Sequence, residues 1–157
     1  MKNPNPLITF VFRAILICLS MALFSACAQY SKMKLQDDLQ TNVYQFNKRF
    51  SGKMMDLSVA YVALAKRREF LTESLKVQEK VTFYDSSILG IQYFNDNDPV
   101  NQTTEGTEKE FNKAIVTWRY QISVLPSNQL KTIMLDQVWV YNEEQWLVEP
   151  DLDVFFK

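Results

Sequence analysis

The spacing of apolar residues changes near Lys80, and this change limits the folds that the chain can adopt. Before Lys80 the apolar residues recur at intervals of three and four, which is the period of an amphipathic helix. After it, apolar and polar residues alternate nearly to the C-terminus, which is the period of half-buried strands. We therefore expect an α+β fold, with N-terminal helices packed on an antiparallel sheet of about four strands.

Three helical pieces are predicted before Lys80. The first runs from about Lys32 to Phe50, and Gly52 follows it as a C-terminal stop. The second has Asp56 as its N-cap, and a third follows after a bend. The residues expected on the buried faces of the three pieces are, in order, Leu35, Leu39, Val43, Phe46 and Phe50; Val59, Ala60, Ala63 and Leu64; and Phe70, Leu71 and Leu75.

The strand region begins with an interrupted strand from Val81 to Phe94. Its alternation breaks at Asp85 to Ser87, which predicts a bulge or a break there. The polar stretch from Asn95 to Lys109 is expected to be an exposed loop. The clearest strand is Ala114 to Val124, and its apolar face must meet the helices.

The strand from Leu130 to Tyr141 is apolar on both faces, and a hairpin then leads into a last strand ending at Pro150. A strand of this kind is covered on both faces, so its cover must come from another part of the chain, a second copy or a partner. The C-terminal residues are too apolar for a frayed tail and are expected to pack back onto the domain or to mark a contact site. The predicted contact residues are Ile133, Leu135, Trp139, Tyr141, Phe155 and Phe156.

The first 27 residues have the layout of a secretory signal peptide, with positive charge from Lys2 and Arg13, an apolar run and small residues at its end. Phe24-Ser25-Ala26-Cys27 resembles the lipobox of bacterial lipoproteins, in which the cysteine is acylated and becomes the mature N-terminus. The resemblance implies a signal peptide over residues 1–26, lipidation at Cys27 and a tether over residues 27–34. It also implies an outer-membrane lipoprotein facing the periplasm, because Ala28 stands where an Asp signals retention at the inner membrane.

Two other fates of the leader remain open. Ala26-Cys27-Ala28 also has small residues where an ordinary signal peptidase reads, so the mature chain can begin at Gln29 and be soluble. Alternatively, the stretch from Leu7 to Ala28 stays as an uncleaved anchor, although Arg13 splits it and its clean apolar run is short of the ~20 residues that span a bilayer.

Charge and composition exclude several classes of function. Beyond the leader, 15 basic residues stand against 18 acidic ones, a net charge of −3 that argues against binding to nucleic acid or to anionic lipid. The basic cluster Lys66-Arg67-Arg68 is interpreted as part of a solvated helix face, with Glu69 and Glu73 nearby to pair with it. The alternative is a contact with a phosphate or a lipid head group. The chain has no histidine, and acylation would occupy Cys27, so neither a metal site nor a cofactor is expected.

Tyr61-Val62 followed by Arg68 and Phe70, then Asp136-Gln137-Val138-Trp139-Val140-Tyr141 and Trp146, resemble small exported lipoproteins of the nuclear transport factor 2-like (cystatin-like) superfamily. The resemblance implies one domain over residues 35–157, in which a curved sheet wraps the N-terminal helices into a cone. It further implies a pocket between helices and sheet, which hosts small-molecule chemistry or nothing, and often a dimer through the sheet.

Enzymes of that superfamily place an Asp or His base and a Tyr or Asp donor in the cone, which makes Asp136 the nearest analogue here. Its companions would be Tyr84, Tyr120 and Glu149. A carboxylate on an apolar strand face can have a raised pKa and act as a base, or it can bond a backbone group or face water. The aromatic residues of the strands are open to two interpretations: they line a pocket, or they form core contacts and cross-strand pairs. These residues are Trp118, Trp139, Trp146, Tyr120 and Tyr141.

The sequence thus predicts a lipid-anchored periplasmic binding or envelope-assembly module without catalytic activity. Its contacts would be the membrane through acylated Cys27 and an envelope protein or a second copy through the sheet, with no nucleic acid. The alternatives are a small lyase or isomerase that uses Asp136 in the cone and a soluble periplasmic ligand carrier.

Overall fold

The computed structural model describes residues 32–103, 106–107 and 110–157. The predicted signal peptide, Cys27 and the first residues of the predicted tether lie outside the described residues.

Helix α1 covers residues 32–51 and buries the face that its spacing predicts. Leu39, Val43, Phe46 and Phe50 are buried, and Leu35 is partly buried beside them. The helix ends as expected just before Gly52, whose N–H donates to the Lys48 carbonyl at 3.0 Å. The residue with left-handed backbone is Lys53, with φ of 60°, so the turn that ends α1 does not depend on a glycine conformation.

The second helical piece is shorter than predicted. It consists of helix α2, Met55–Ser58, followed by two 3₁₀ turns, Val59–Tyr61 and Leu64–Lys66. Asp56 is not its N-cap, because Met54 occupies that position and Asp56 lies in the first turn. Leu64 is exposed because it lies in a surface 3₁₀ turn, where the α-helical spacing that placed it on a buried face does not apply.

Helix α3, Arg67–Lys80, buries a different face from the predicted one. Phe70, Ser74 and Val77 are buried, whereas Leu71 and Leu75 are exposed. The error has a local cause: the Ser74 hydroxyl donates to the Leu71 carbonyl at 3.0 Å, so a polar residue can occupy the buried position. At its start, Lys66 pairs with Glu69 at 2.9 Å on the exposed surface, as the solvated-face interpretation predicts.

The sheet has five antiparallel strands in the order β2-β1-β5-β6-β7, one more than the four predicted. The segment expected to be a loop supplies β2 and a separate two-stranded pair, β3 with β4. The strands are β1 Val81–Asn95, β2 Asp98–Val100, β3 Gln102–Thr103, β4 Gly106–Thr107, β5 Lys113–Val124, β6 Lys131–Asn142 and β7 Gln145–Glu149.

Strand β1 is irregular where its alternation breaks. Its register against β5 shifts between Phe83 and Asp85 and again between Ile88 and Gly90, so the interruption predicted at Asp85 to Ser87 is flanked by two irregularities. Bulges of this kind bend a strand and re-aim its side chains. In consequence Leu89, which shares sequence parity with buried Val81, is exposed.

The helices pack on one face of the sheet, called here the inner face, and aromatic rings fill the space between them. Phe50 lies at the centre, with ring centroids 5.6 Å from Phe83, 5.6 Å from Phe155 and 6.4 Å from Tyr120. The other face, called the outer face, carries the alternate residues of β5 and β6. The prediction that the apolar face of β5 meets the helices is confirmed.

The C-terminus folds back onto this core, as its apolar composition predicts. Leu152 and Phe155 are buried, the latter within a 3₁₀ turn, Asp153–Phe156. The Lys131 ammonium donates to the Phe155 carbonyl at 3.1 Å and ties the turn to β6. Among the helices that the structure describes, none is both long and apolar enough to cross a membrane.

Candidate binding groove between α1 and β1

A groove runs between α1 and β1, with β5 below it. Its first section is a cavity of about 450 Å³, in the range that small-molecule pockets occupy. Helix α1 contributes Gln40, Val43 and Tyr44 to the lining, and Trp118 of β5 also contributes. The remaining lining residues are Ile88, Leu89, Gly90, Ile91 and Tyr93 of β1 and Gln102 of β3.

The groove continues along α1 through two further sections. Tyr44, Ile88 and Trp118 line both the first section and the middle one. Lys48, Ser51 and Ser86 in turn line both the middle section and the last one. Because neighbouring sections share their walls, the three form one elongated groove, which we call the α1–β1 groove.

Helical spacing explains the wall on the α1 side. Gln40, Tyr44 and Lys48 follow one another at intervals of four and form a stripe beside the buried stripe of the same helix. On the opposite wall, the irregular register of β1 leaves Ile88 and Leu89 exposed. The groove therefore lies where a regular helix faces a bent strand.

Two buried hydrogen-bond donors among the groove residues have no partner in the part of the chain that the structure describes: the Trp118 indole N–H and the Tyr93 hydroxyl. Trp118 is 5% exposed and Tyr93 is 2% exposed. Burial raises the pKa of the Tyr93 hydroxyl, and the nearby amides of Gln40, Gln102 and Gln36 oppose that rise only in part. Those amides lie near the hydroxyl without meeting hydrogen-bond geometry. Each unpaired buried donor costs about 1–3 kcal/mol.

A second polar cluster lies deeper, and its central residue is fully paired. The Asn47 amide donates to the Val43 carbonyl at 2.8 Å and exchanges hydrogen bonds with the Gln137 amide, at 3.0 Å and 2.6 Å. It also accepts from the Tyr120 hydroxyl, and the Trp139 indole donates to Gln137 at 3.3 Å. Burial raises the pKa of Tyr120, so the hydroxyl stays a donor. This cluster joins α1 to β5 and β6.

The structure places Asp136 on the outer face, away from the groove. Its neighbours Leu135 and Gln137 are buried on the inner face, so alternation turns Asp136 the other way. There its carboxylate accepts a hydrogen bond from the Thr117 hydroxyl at 2.6 Å and is exposed. The expected position of Asp136 in a pocket between helices and sheet is therefore wrong.

Tyr84 and Tyr120, two of the three proposed companions of Asp136, are not brought together with it. Tyr84 is exposed and its hydroxyl shares a hydrogen bond with Ser123 at 3.2 Å. Tyr120 belongs to the buried cluster around Asn47, on the inner face. Glu149 is exposed on β7. The four residues therefore do not form a site.

Burial also corrects the predicted contact residues. Trp139, Leu135 and Phe155 are buried in the core and offer no surface to a partner. Ile133 and Tyr141 are partly buried, and Phe156, at 39% exposure, is the most accessible of the six predicted contact residues.

The tryptophan residues of the strands likewise differ in position. Trp139 and Trp146 belong to the core, whereas Trp118 lies under the groove.

The two-faced character of β6 is present in the structure. Met134 and Val140 lie on the outer face and are exposed. The described residues leave this face open, so the predicted cover from an envelope protein or a second copy stays a prediction.

Gln40, Tyr44, Lys48 and Tyr93 carry no sequence signal that marks them as site residues. Mixed polar and aromatic residues at helical spacing look like an ordinary exposed face, and Tyr93 looks like any inward strand residue. The one signal that pointed here was the interrupted alternation of β1, because bulges often lie next to functional sites.

The residues that the structure describes contain no group of three or more Cys, Asp or Glu side chains placed to hold a metal ion. The fold and the groove together define an α+β protein with an elongated cleft between its first helix and its sheet. Comparisons with protein-family models, with curated proteins and with solved structures found no match. The resemblances to the nuclear transport factor 2-like superfamily and to bacterial lipoproteins stay predictions.

Tyr93→Phe is expected to leave the free energy of unfolding unchanged or to raise it by up to about 1 kcal/mol, because it removes a buried hydroxyl without a partner. The matched change Tyr120→Phe is expected to lower it by about 1–2 kcal/mol, because that hydroxyl donates to Asn47. Urea titration of both variants measures the difference. Equal losses in the two variants would show that the Tyr93 hydroxyl is paired after all.

Proposed function

We propose that the protein is a binding module that holds a small organic ligand in the α1–β1 groove and performs no catalysis. The observation that carries the proposal is the unpaired indole N–H of Trp118, buried beneath a cavity of pocket size. Buried donors are nearly always satisfied, so an orphaned one at a pocket indicates a missing acceptor. A ligand with a hydrogen-bond acceptor would supply it after a small shift of the Trp118 ring, because the N–H itself is buried.

The walls favour a ligand that is mostly apolar. Ile88, Leu89 and Ile91 offer aliphatic surface in the first section. Small-molecule sites typically combine such a lining with a few polar groups that fix the orientation of the ligand. A bound ligand would bury apolar surface of the walls, which stabilises the complex, and it would give the Trp118 indole N–H its hydrogen-bond partner.

Catalysis has no support from this geometry, because Asp136, the one carboxylate considered as a base, lies on the outer face. The lyase or isomerase alternative would need another base in the groove. Asp85 is the carboxylate that lines the last section, and it is paired with Arg119 at 2.7 Å.

The proposal includes the lipid anchor and the location at the periplasmic side of the outer membrane, on the strength of the leader and its cysteine. From Cys27 to the first described residue, 32, a chain of five residues can span at most about 17 Å. An acylated Cys27 would therefore hold the binding domain close to the membrane. The soluble carrier differs from this proposal only in the processing site.

Native mass spectrometry of the full chain extracted from membranes tests both parts. We expect the wild-type protein to retain a small molecule and its N-terminal peptide to begin with acylated Cys27. Ile88→Trp should abolish retention, because Ile88 lines the first two sections and is 43% exposed, so a larger side chain can enter the groove without disturbing the core. The control is Leu125→Trp, an exposed residue that does not line these sections. Equal retention in both variants would refute the groove as the site.

A further inference from the structure

We infer that the ligand of the α1–β1 groove is a single acyl chain that ends in an anionic head group, with the chain in the first section and the head beside Lys48. This inference rests on the proposed function and adds the chemical class of the ligand. It follows from the length of the groove, the change of polarity along it and the position of one cation.

The groove is long. Its lining follows α1 from Gln40 to Gly52, a distance of about 18 Å at 1.5 Å per helical residue. An extended chain can follow such a path through three sections in series. A compact ring system would fill one section and leave the others open.

The lining changes from apolar to polar along this path. In the first section the walls carry exposed or partly buried aliphatic side chains, among them Ile88, Leu89 and Ile91. At the other end Ser51, Asp85 and Ser86 line the last section. A molecule with one apolar and one polar end is complementary to this gradient, since its chain leaves water while its head stays hydrated.

The charge at the polar end of the groove favours an anionic head group. Lys48 lines the middle and last sections and has no ion-pair partner among the described residues, and its ammonium lies 5.6 Å from the centre of the Tyr44 ring. Asp85, the acidic residue of the same section, is already neutralised by Arg119 at 2.7 Å. The uncompensated charge of the groove is therefore positive and lies at the polar end.

Trp118 fixes the junction between chain and head. It lines the first and the middle section, and Lys48 also lines the middle one. After a small shift of the Trp118 ring, whose N–H is buried, a carboxylate or ester oxygen at this point can accept from the unpaired indole N–H while the negative charge faces the ammonium. At the opposite end Gln40, Tyr93 and Gln102 close the first section with polar groups, which limits the length of the chain.

The test is photo-crosslinking in membranes that contain the full chain, with a diazirine analogue of dodecanoic acid as probe. Crosslinked peptides are mapped by mass spectrometry. We expect label on residues of the groove, competition by dodecanoate, and little competition by dodecyltrimethylammonium, which has the same chain and the opposite charge. Lysophosphatidylglycerol is a second competitor, and its strength relative to dodecanoate tells whether the head is a carboxylate or a phosphate.

Variants of Lys48 separate this inference from the proposed function. Lys48→Ala is expected to weaken labelling about two- to fivefold, as the loss of an exposed charge contact implies, and Lys48→Arg to restore it. The control is Lys76→Ala, which changes an exposed lysine on α3 and should have no effect.

Groove labelling that is unchanged in Lys48→Ala, or equally displaced by the cationic amphiphile, would overturn the anionic head and leave the binding module standing. Absence of groove labelling would overturn the acyl chain, and loss of small-molecule retention by the wild type would overturn the module.

Discussion

Replacing Phe155 with alanine is expected to lower the free energy of unfolding by about 3–5 kcal/mol, the usual cost of removing a fully buried phenylalanine. Phe155 has no exposed surface, and its ring lies 5.6 Å from Phe50, 5.7 Å from Phe83 and 5.5 Å from Tyr120. The Phe155 ring therefore contacts one aromatic residue of α1 and two aromatic residues of the sheet. Its loss leaves a cavity that rigid helix and strand backbones cannot close.

The neighbouring residue provides the control for this experiment. Phe156 is 39% exposed, so Phe156→Ala is expected to cost about 1–2 kcal/mol, clearly less than Phe155→Ala. Urea titration of both variants, followed by tryptophan fluorescence, gives the two values. Equal small losses would mean that the C-terminal turn is not part of the cooperative core. The buried position of Phe155 also means that a partner cannot bind through it without local unfolding.

The fold class follows from the sequence because hydrophobic periodicity reports which face of an element is buried. It did so for α1 and β5, where nearly every inward residue is apolar. It failed for α3, since Ser74 is buried and Leu71 and Leu75 are exposed. A hydroxyl that bonds its own helix backbone satisfies itself, so polarity is no guide to the burial of serine in a helix.

The position of Asp136 shows a second limit. Alternation along β6 correctly put Asp136 on one side with Met134 and on the opposite side from Leu135 and Trp139. Because both sides of this strand are apolar, alternation could not tell which of them meets the helices. Packing decides it, since the inner face takes the large Trp139 ring in an edge contact, 5.8 Å from Phe46.

The groove was beyond sequence analysis for a different reason. It is a gap between α1 and β1, and a gap has no residue pattern of its own. The break in the alternation of β1 marked one wall, but the stripe of Gln40, Tyr44 and Lys48 becomes a wall only once the bent strand lies opposite to it. Tertiary arrangement, and not local preference, creates the site.

Two kinds of buried polar group therefore occur between α1 and the inner face of the sheet. Asn47 uses both donors and both acceptor positions of its amide, so it is fully satisfied. Trp118, on β5, has its donor unsatisfied. We interpret the first as part of the structure that fixes α1 on the sheet and the second as part of the ligand site.

Asn47→Leu is accordingly expected to lower the free energy of unfolding by about 3 kcal/mol or more. The change leaves the Gln137 amide and the Tyr120 hydroxyl without their shared partner in the core, and each unpaired buried group costs about 1–3 kcal/mol. Asn42→Leu, the same substitution at a partly exposed position of α1, is expected to change stability by about 0.5 kcal/mol or less.

A double-mutant cycle shows whether the cost comes from the pairing itself. Asn47→Leu combined with Gln137→Leu removes both amides, so neither leaves the other unpaired, and the double variant should lose clearly less than the sum of the two single variants. The coupling between the two positions should reach about 1–3 kcal/mol, because the reciprocal amide pair is buried and shared with Tyr120 and Trp139. Strict additivity would mean that the two amides do not pair in the folded protein, and α1 would then be held on the sheet by apolar packing alone.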